Sequence, residues 1–415
     1  MTLKLYSTLG REVREFTTVV PGEVRMYVCG VTPYFLTHLG HAFSYVQFDT
    51  LRRYLSWSGY RVKYVQNVTD IDDDMIRVSK AQKRPIAELR DENLASFRED
   101  LDRLNVLRPT AYPFATHYIE EMQRATAKLI DTGHAYAKGT NVFFRARSFL
   151  GYGALKGVGP GDIGKLENPE GVDAEKREDA LDFHLWQPIR EADAGAFMEA
   201  GRPPGWPSPW GEGRPGWHIE CTAMSMATLG DQIDIHGGGS DLVYPHHTNE
   251  IAQAESVTGK APFAGFWLHN GMLMKEGEKM AKSKPETLAF ARDVMASLPA
   301  DQLRMYLLGI HLRANGDYRA GDIEALGPAF ERLRAIAASA AGAAAASHPV
   351  LRAFRETMDN DFDAPGALAQ LDTAALAVIN GSADPDSPAA IRDALGVLGL
   401  AFANARGPAT GDFEP

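Results

Sequence analysis

Two segments carry residue types suited to phosphate chemistry. In the first, Cys29-Gly30-Val31-Thr32-Pro33-Tyr34 is followed by His38-Leu39-Gly40-His41. The pattern reads as a strand end, a turn and a helix start. A helix N-terminus offers unpaired N–H groups and the positive end of a dipole, so phosphates bind there. Gly40 admits a ligand close to the backbone. His38 and His41, three apart, face the same side and could donate to phosphate oxygens as charge develops. In the second segment, Glu276-Gly277-Glu278 leads into Lys279-Met280-Ala281-Lys282-Ser283. Lysines on a flexible loop could close over a triphosphate. Taken singly, each segment also has an ordinary reading, an incidental pair of histidines and a solvated loop.

A third group suits metal binding. Cys221 closes Gly216-Trp217-His218-Ile219-Glu220-Cys221, and Pro245-His246-His247-Thr248-Asn249-Glu250 follows. His246 and Glu250 are four apart, so on a helix they share one face, and both can ligate metal. With Cys29 they offer two thiolates, one imidazole and one carboxylate, a donor set that suits zinc. The spacing is not that of a zinc finger, and ligands gathered from three distant segments suggest a site built at the ends of sheet strands. The competing reading is a buried cysteine beside an exposed His–Glu helix pair.

The elements that must position these residues follow βαβ grammar. Val24–Val31 reads as a buried strand. Phe43–Ser58 has helical spacing, with Phe48, Leu51 and Leu55 on one face and Gly59 as its stop. Arg61–Val68 alternates like a second strand. The expected fold is α/β, with a parallel sheet and a site at its strand C-terminal ends. Ala111–Pro113 breaks the chain, and a helix containing Ile119, Met122 and Leu129 follows. Residues 150–215 are rich in Gly, Pro and charge and read as an insertion with long loops; Gly157–Gly161 reads as a turn. From Arg304 onward the chain is mostly helical. Ala335–Ala346 reads either as a thinly coated helix or as a joint between helices.

Composition bounds the rest. The chain has 415 residues, 45% of them apolar and 23% charged. At about 150 residues per domain, that is two or three domains. No apolar run is long enough to span a bilayer, and Met1–Leu9 lacks a signal-peptide pattern. Two distant cysteines exclude a disulfide scaffold and point to a reducing, cytoplasmic setting. The formal charge of −11 argues against a general nucleic-acid coat, though a local basic patch can still bind RNA.

Taken together, the His-Leu-Gly-His and Lys-Met-Ala-Lys-Ser segments resemble the signatures of class I aminoacyl-tRNA synthetases. Four further runs resemble cysteinyl-tRNA synthetases in particular: Asn67–Asp73, Gly213–Cys221, Asp234–Leu242 and Asn249–Gln253. The resemblance runs from about Leu3 to about Leu400. It implies a Rossmann-like catalytic domain from residues 1–113 and 213–270, split by an insertion over 114–212. A linking domain over 271–330 and a helical domain over 331–415 should follow. It implies adenylate chemistry on ATP and L-cysteine, with Mg2+ accompanying ATP and tRNA(Cys) as acceptor. His38, His41, Lys279 and Lys282 would act on the ATP phosphates. Gly30, Thr69, Trp217 and His236 would contact cysteine, and Asp241 would line the adenylate site. The family's zinc ligands fall on Cys29, Cys221, His246 and Glu250. Direct bonding of zinc to the substrate sulfur would separate cysteine from serine, which an apolar pocket does poorly.

The chain also departs from that family. Ala281 replaces a serine of the second signature, and Lys284-Pro285-Glu286 stands where the family has Leu-Gly-Asn. The anticodon-reading module is expected to be missing. Residues 331–415 carry six Arg, no Lys and eleven acidic residues, a poor balance for RNA. The mycothiol-pathway cysteine ligase, which passes cysteine from the same adenylate to the amine of glucosaminyl-inositol, is the alternative. Thr32-Pro33-Tyr34 and Thr37–Ala42 resemble it, whereas Glu250 and Asn249–Gln253 resemble the synthetase. A non-catalytic pseudo-synthetase would need decayed signatures, and all four signature residues are present.

Overall fold

The computed structural model describes residues 2–171, 173–199, 201–280, 284–319 and 321–402. Its centre is a four-stranded, all-parallel sheet. The spatial order is Ala264–Asn270, Ile233–Gly239, Glu23–Val31, Arg61–Val68. The expected first strand, helix and second strand are all present. The helix runs Leu39–Trp57, starting four residues earlier than its apolar spacing suggested. His38 caps it, its Nδ1 accepting from the His41 N–H at 3.3 Å, and the Leu39 N–H donates to the Ala289 carbonyl. These are tertiary and capping bonds, which hydrophobic periodicity does not register.

From the strand Glu23–Val31 the chain crosses to Arg61–Val68 on one side, while Ile233–Gly239 lies on the other. Strand order reverses there, and ligands bind outside the strand C-terminal ends at such a point. The Ala111–Pro113 break runs extended beside Arg61–Val68. The Thr110 N–H donates to the Tyr64 carbonyl at 2.7 Å, and the Val68 N–H to the Pro113 carbonyl at 2.8 Å. A proline cannot donate to a ladder, so this edge stays irregular.

Between the two halves of the parallel sheet lies an antiparallel one: Ala135–Lys138, Asn141–Phe144, Phe183–Pro188 and Gly213–Pro215. Its fourth strand begins at Gly213. The helix Ile119–Asp131 packs beside it and buries Ile119, Met122 and Leu129. The turn expected at Gly157–Gly161 is present at Gly157, and a short 3-10 helix, Pro160–Lys165, follows.

A small sheet of Leu273–Lys275, Glu278–Lys279 and Gly316–Tyr318 follows. Helices dominate the described residues from Ala300 on: Ala300–Leu308, Gly327–Ser339, Pro349–Met358, Ala364–Ile379 and Ser387–Val397. The alanine tract is a joint. Its helix stops at Ser339, and no helix is present over 340–348. Ala buries too little surface to hold a helix against a core, and Gly342 adopts φ +65°.

Candidate active site and metal centre

The strand Glu23–Val31 delivers Cys29 and Gly30 to the sheet's C-terminal end. Gly30 is obligatory there. A Cβ on it would lie 1.6 Å from the Asn67 carbonyl oxygen, and its own N–H donates to Asn67 Oδ1 at 2.7 Å. Gly30→Ala should therefore force two core strands apart and cost ~1–3 kcal/mol. Chemical denaturation measures this, and an unchanged midpoint would refute it.

One cavity of about 710 Å³ opens at this end of the sheet. Cys29, Gly30, His38, His41, Trp217, Asp241 and Lys279 all line it. His38 and His41 stack, their ring centroids 3.8 Å apart. Gly40 lines the cavity and also makes room for the His38 ring, which a Cβ would meet at 3.0 Å. Lys279 faces Asp241 at 3.5 Å across the mouth, both half exposed. Lys282 and Ala281 lie outside the described residues. Thr69 is buried and does not line the cavity; its Oγ1 accepts from Asn67 Nδ2 at 3.1 Å. Asp72 stands on the cavity wall, its carboxyl pushed up to about 7 by burial.

Beneath the cavity floor the metal-ligand candidates converge. Cys29, Cys221, His246 and Glu250 each place one ligand atom within 4.8 Å of the others. Cys29 Sγ lies 3.8 Å from Cys221 Sγ and from Glu250 Oε1. His246 Nε2 lies 3.2 Å from Glu250 Oε1. Both His246 and Glu250 are buried, which excludes the exposed-pair reading. Their pairing does not use one regular helix: Glu250 sits on the helix Thr248–Thr258 and His246 in the irregular turn before it.

Burial pushes the Cys29 thiol and the Glu250 carboxyl up, and the His246 and His247 imidazoles down. Thiolate, carboxylate and neutral imidazole are the forms that ligate a divalent cation, which supplies the charge that burial otherwise penalises. The donor set therefore fits such a cation.

Sequence reasoning missed the supporting imidazoles. His247 Nε2 lies 3.2 Å from Cys29 Sγ, and His236 Nε2 lies 2.9 Å from Glu250 Oε2. Cys29, His236, His247 and Glu250 thus form a second, overlapping donor group. His236, expected against the substrate, sits in this buried group and does not line the cavity. His246 Nδ1 is held by His218 Nδ1 at 2.8 Å. His247 Nδ1 is held by His269 Nε2 at 2.7 Å, and His269 by Thr8 Oγ1 at 2.7 Å. Such partners fix ring orientation around a metal. Five of the chain's 12 histidines are in this cluster, a concentration visible only once the strands are paired.

Residues 15–326 match the family of class I tRNA synthetase (C) catalytic domains. The cysteine–tRNA ligase of Delftia acidovorans is 41% identical over 406 residues, covering 96% of this chain and 85% of its own. The chain belongs to the cysteine–tRNA ligase family. The relative from Dehalococcoides mccartyi is 38% identical, with 100% of this chain and 89% of its own covered. Solved structures share the fold. Mycobacterium tuberculosis methionyl-tRNA synthetase in complex with methionyl-adenylate gives a TM-score of 0.60 at 16% identity, covering 91% of this chain and 88% of its own. A LeuRS–tRNA–LeuAMS complex from Agrobacterium radiobacter K84 gives 0.63 at 12% identity, with 92% and 84% covered. As in these class I synthetases, this cysteine–tRNA ligase family member has a Rossmann-like parallel sheet. Among its described residues no helix is long and apolar enough to cross a membrane.

Proposed function

We propose that the chain is an ATP-dependent cysteine ligase that forms cysteinyl-adenylate and transfers cysteine to tRNA(Cys). The observation that carries this is the placement of the Cys29–Cys221–His246–Glu250 cluster directly under the cavity that holds the His38–His41 pair. An amino acid whose side chain reaches the cluster presents its carboxylate toward the histidines. His38 and His41, at the positive end of the helix Leu39–Trp57, receive the ATP phosphates, and Lys279 covers the pyrophosphate with Lys282. These groups position the carboxylate against the α-phosphate and stabilise charge in the pentavalent transition state. Mg2+ accompanies ATP. Gly30 and Trp217 border the substrate side chain, and the Trp217 ring stacks on His246 at 4.3 Å. Thr69 and His236 act from behind that wall by positioning Asn67 and Glu250. Zinc suits the donor set; held by Cys29, Cys221, His246 and Glu250, it would supply a thiophilic contact that favours cysteine over serine.

His41→Ala and Lys279→Ala should each lower cysteine-dependent pyrophosphate exchange by ~100-fold or more while metal content stays unchanged. Equal exchange with serine would refute the cysteine reading. The acceptor is tested by offering enzyme, ATP and labelled cysteine to tRNA and, separately, to glucosaminyl-inositol. Label on tRNA is expected. Label on the amino sugar alone would replace the acceptor and leave the adenylate step standing.

A further inference from the structure

One chain of polar contacts leads out of the buried donor cluster. His246 faces Glu250 with Nε2 and His218 with Nδ1. His218 is buried on the helix Trp217–Leu229, and its own Nε2 lies 3.5 Å from Oε1 of Glu170. Glu170 belongs to neither donor group. It comes from the inserted segment, in the loop that precedes the strand Phe183–Pro188.

The loop is pinned so that it presents this carboxylate. Asn168 Nδ2 donates to the Asp182 carbonyl at 2.7 Å, and Asn168 Oδ1 accepts from the Glu170 N–H at 2.9 Å. The Glu170 Oε2 accepts from the His184 backbone N–H at 3.1 Å. It also lies 3.1 Å from His184 Nδ1 and 3.6 Å from the Arg177 guanidinium. These partners occupy Oε2 and leave Oε1 to His218. Burial works against a charge on Glu170, but hydrogen bonds with His184 and His218 outweigh it and hold the carboxyl below the usual range.

We infer that Glu170 is a positioning residue of the metal centre: acting through His218, it fixes which nitrogen of His246 is free to ligate. The inference rests on the reading that Cys29, Cys221, His246 and Glu250 hold the ion. Each proton along the chain then has one place. A cation on His246 Nε2 leaves that ring's proton on Nδ1, from which it is donated to His218 Nδ1. His218 Nδ1 must be bare to accept it, so the His218 proton is on Nε2 and is donated to Glu170 Oε1. A carboxylate can only accept, so it closes the chain in this one direction. A carboxylate behind a ligating imidazole orients the ring and raises its basicity. Here it acts through two rings in series, and it ties the inserted segment to a ligand of the parallel-sheet domain.

Glu170→Gln tests this at nearly constant size. An amide has one acceptor oxygen. The His184 backbone N–H cannot move its proton, so that oxygen takes the Oε2 place and the NH2 group faces His218. His218 must then accept at Nε2 and carry its proton on Nδ1, against the Nδ1–H of a metal-bound His246. Zinc affinity, read by competition with a chromophoric chelator, should fall at least ~10-fold, and the visible bands of the Co2+-loaded protein should shift. His218→Asn separates this from a general loosening of the loop. Its amide oxygen can accept from His246 without help from Glu170, so in that background Glu170→Gln should change zinc affinity by less than ~2-fold. Unchanged affinity in Glu170→Gln alone would overturn the relay, as would equal losses in both backgrounds. Cys221→Ser, measured alongside, keeps the two readings apart. If it loses zinc while Glu170→Gln binds as wild type does, the four-ligand site stands and the relay falls. If it retains zinc in full, both fall together.

Discussion

Cys221→Ser should abolish stoichiometric metal binding and lower cysteine-dependent pyrophosphate exchange by at least ~100-fold. Even the outer partners of metal ligands cost ~10–100-fold when removed, and Cys221 is itself in the donor group. The variant is informative because the two overlapping groups differ. Cys29 and Glu250 belong to both, whereas Cys221 and His246 belong to only one. Metal analysis of purified Cys221→Ser therefore decides between them. Loss of metal assigns the ion to Cys29, Cys221, His246 and Glu250. Full retention would assign it to Cys29, His236, His247 and Glu250, with His246 left to orient the substrate beside Trp217. In the first case, serine hydroxyl and cysteine thiol differ at position 221 by one atom, so the fold should survive. Circular dichroism of the variant checks this.

The largest effect on stability should come from Arg304. Its side chain is fully buried and satisfied by five acceptors. Nε donates to the Leu398 carbonyl at 2.7 Å, Nη1 to the Leu104 and Asn105 carbonyls, and Nη2 to Asp49 Oδ2 at 2.6 Å and to Thr50 Oγ1. One guanidinium thus joins the helix Leu39–Trp57, the turn after the helix Ile86–Arg103, and the end of the helical bundle. Burial alone would push the guanidinium down, and Asp49 opposes that. A buried ion pair adds little net stability, but breaking one by removing a single partner costs ~3–5 kcal/mol. Arg304→Met should lose that much, measured by chemical denaturation. Asp49→Asn in the same chain should recover part of the loss, because a buried carboxylate that has lost one of its two arginine partners, Arg304 and Arg53, is then removed. Unchanged stability in Arg304→Met would show that Arg53, which pairs with Asp49 at 2.8 Å, suffices by itself.

The donor types were legible before any fold was known. Two cysteines, a His–Glu pair four apart and two phosphate-type segments define what chemistry the chain can do, because ligand identity and charge are properties of the side chain. Local elements were legible for a similar reason: Val24–Val31 and Arg61–Val68 alternate or run apolar because each strand buries most of its apolar side chains. The alanine tract left two readings open, since propensity favours a helix and packing does not; tertiary contact chose the joint.

Other features depend on groups that are distant in the chain. His236, His247 and His269 come from separate elements, and nothing in their local spacing marks them as one hydrogen-bonded cluster. Arg304 looked like the start of a helical stretch, yet its partners lie 94 to 255 positions away. Sequence alone determined which atoms could bind sulfur, phosphate and metal. Only the tertiary structure decided which of them share a site, because the distances that govern coordination and hydrogen bonding are set by strand order and not by position along the chain.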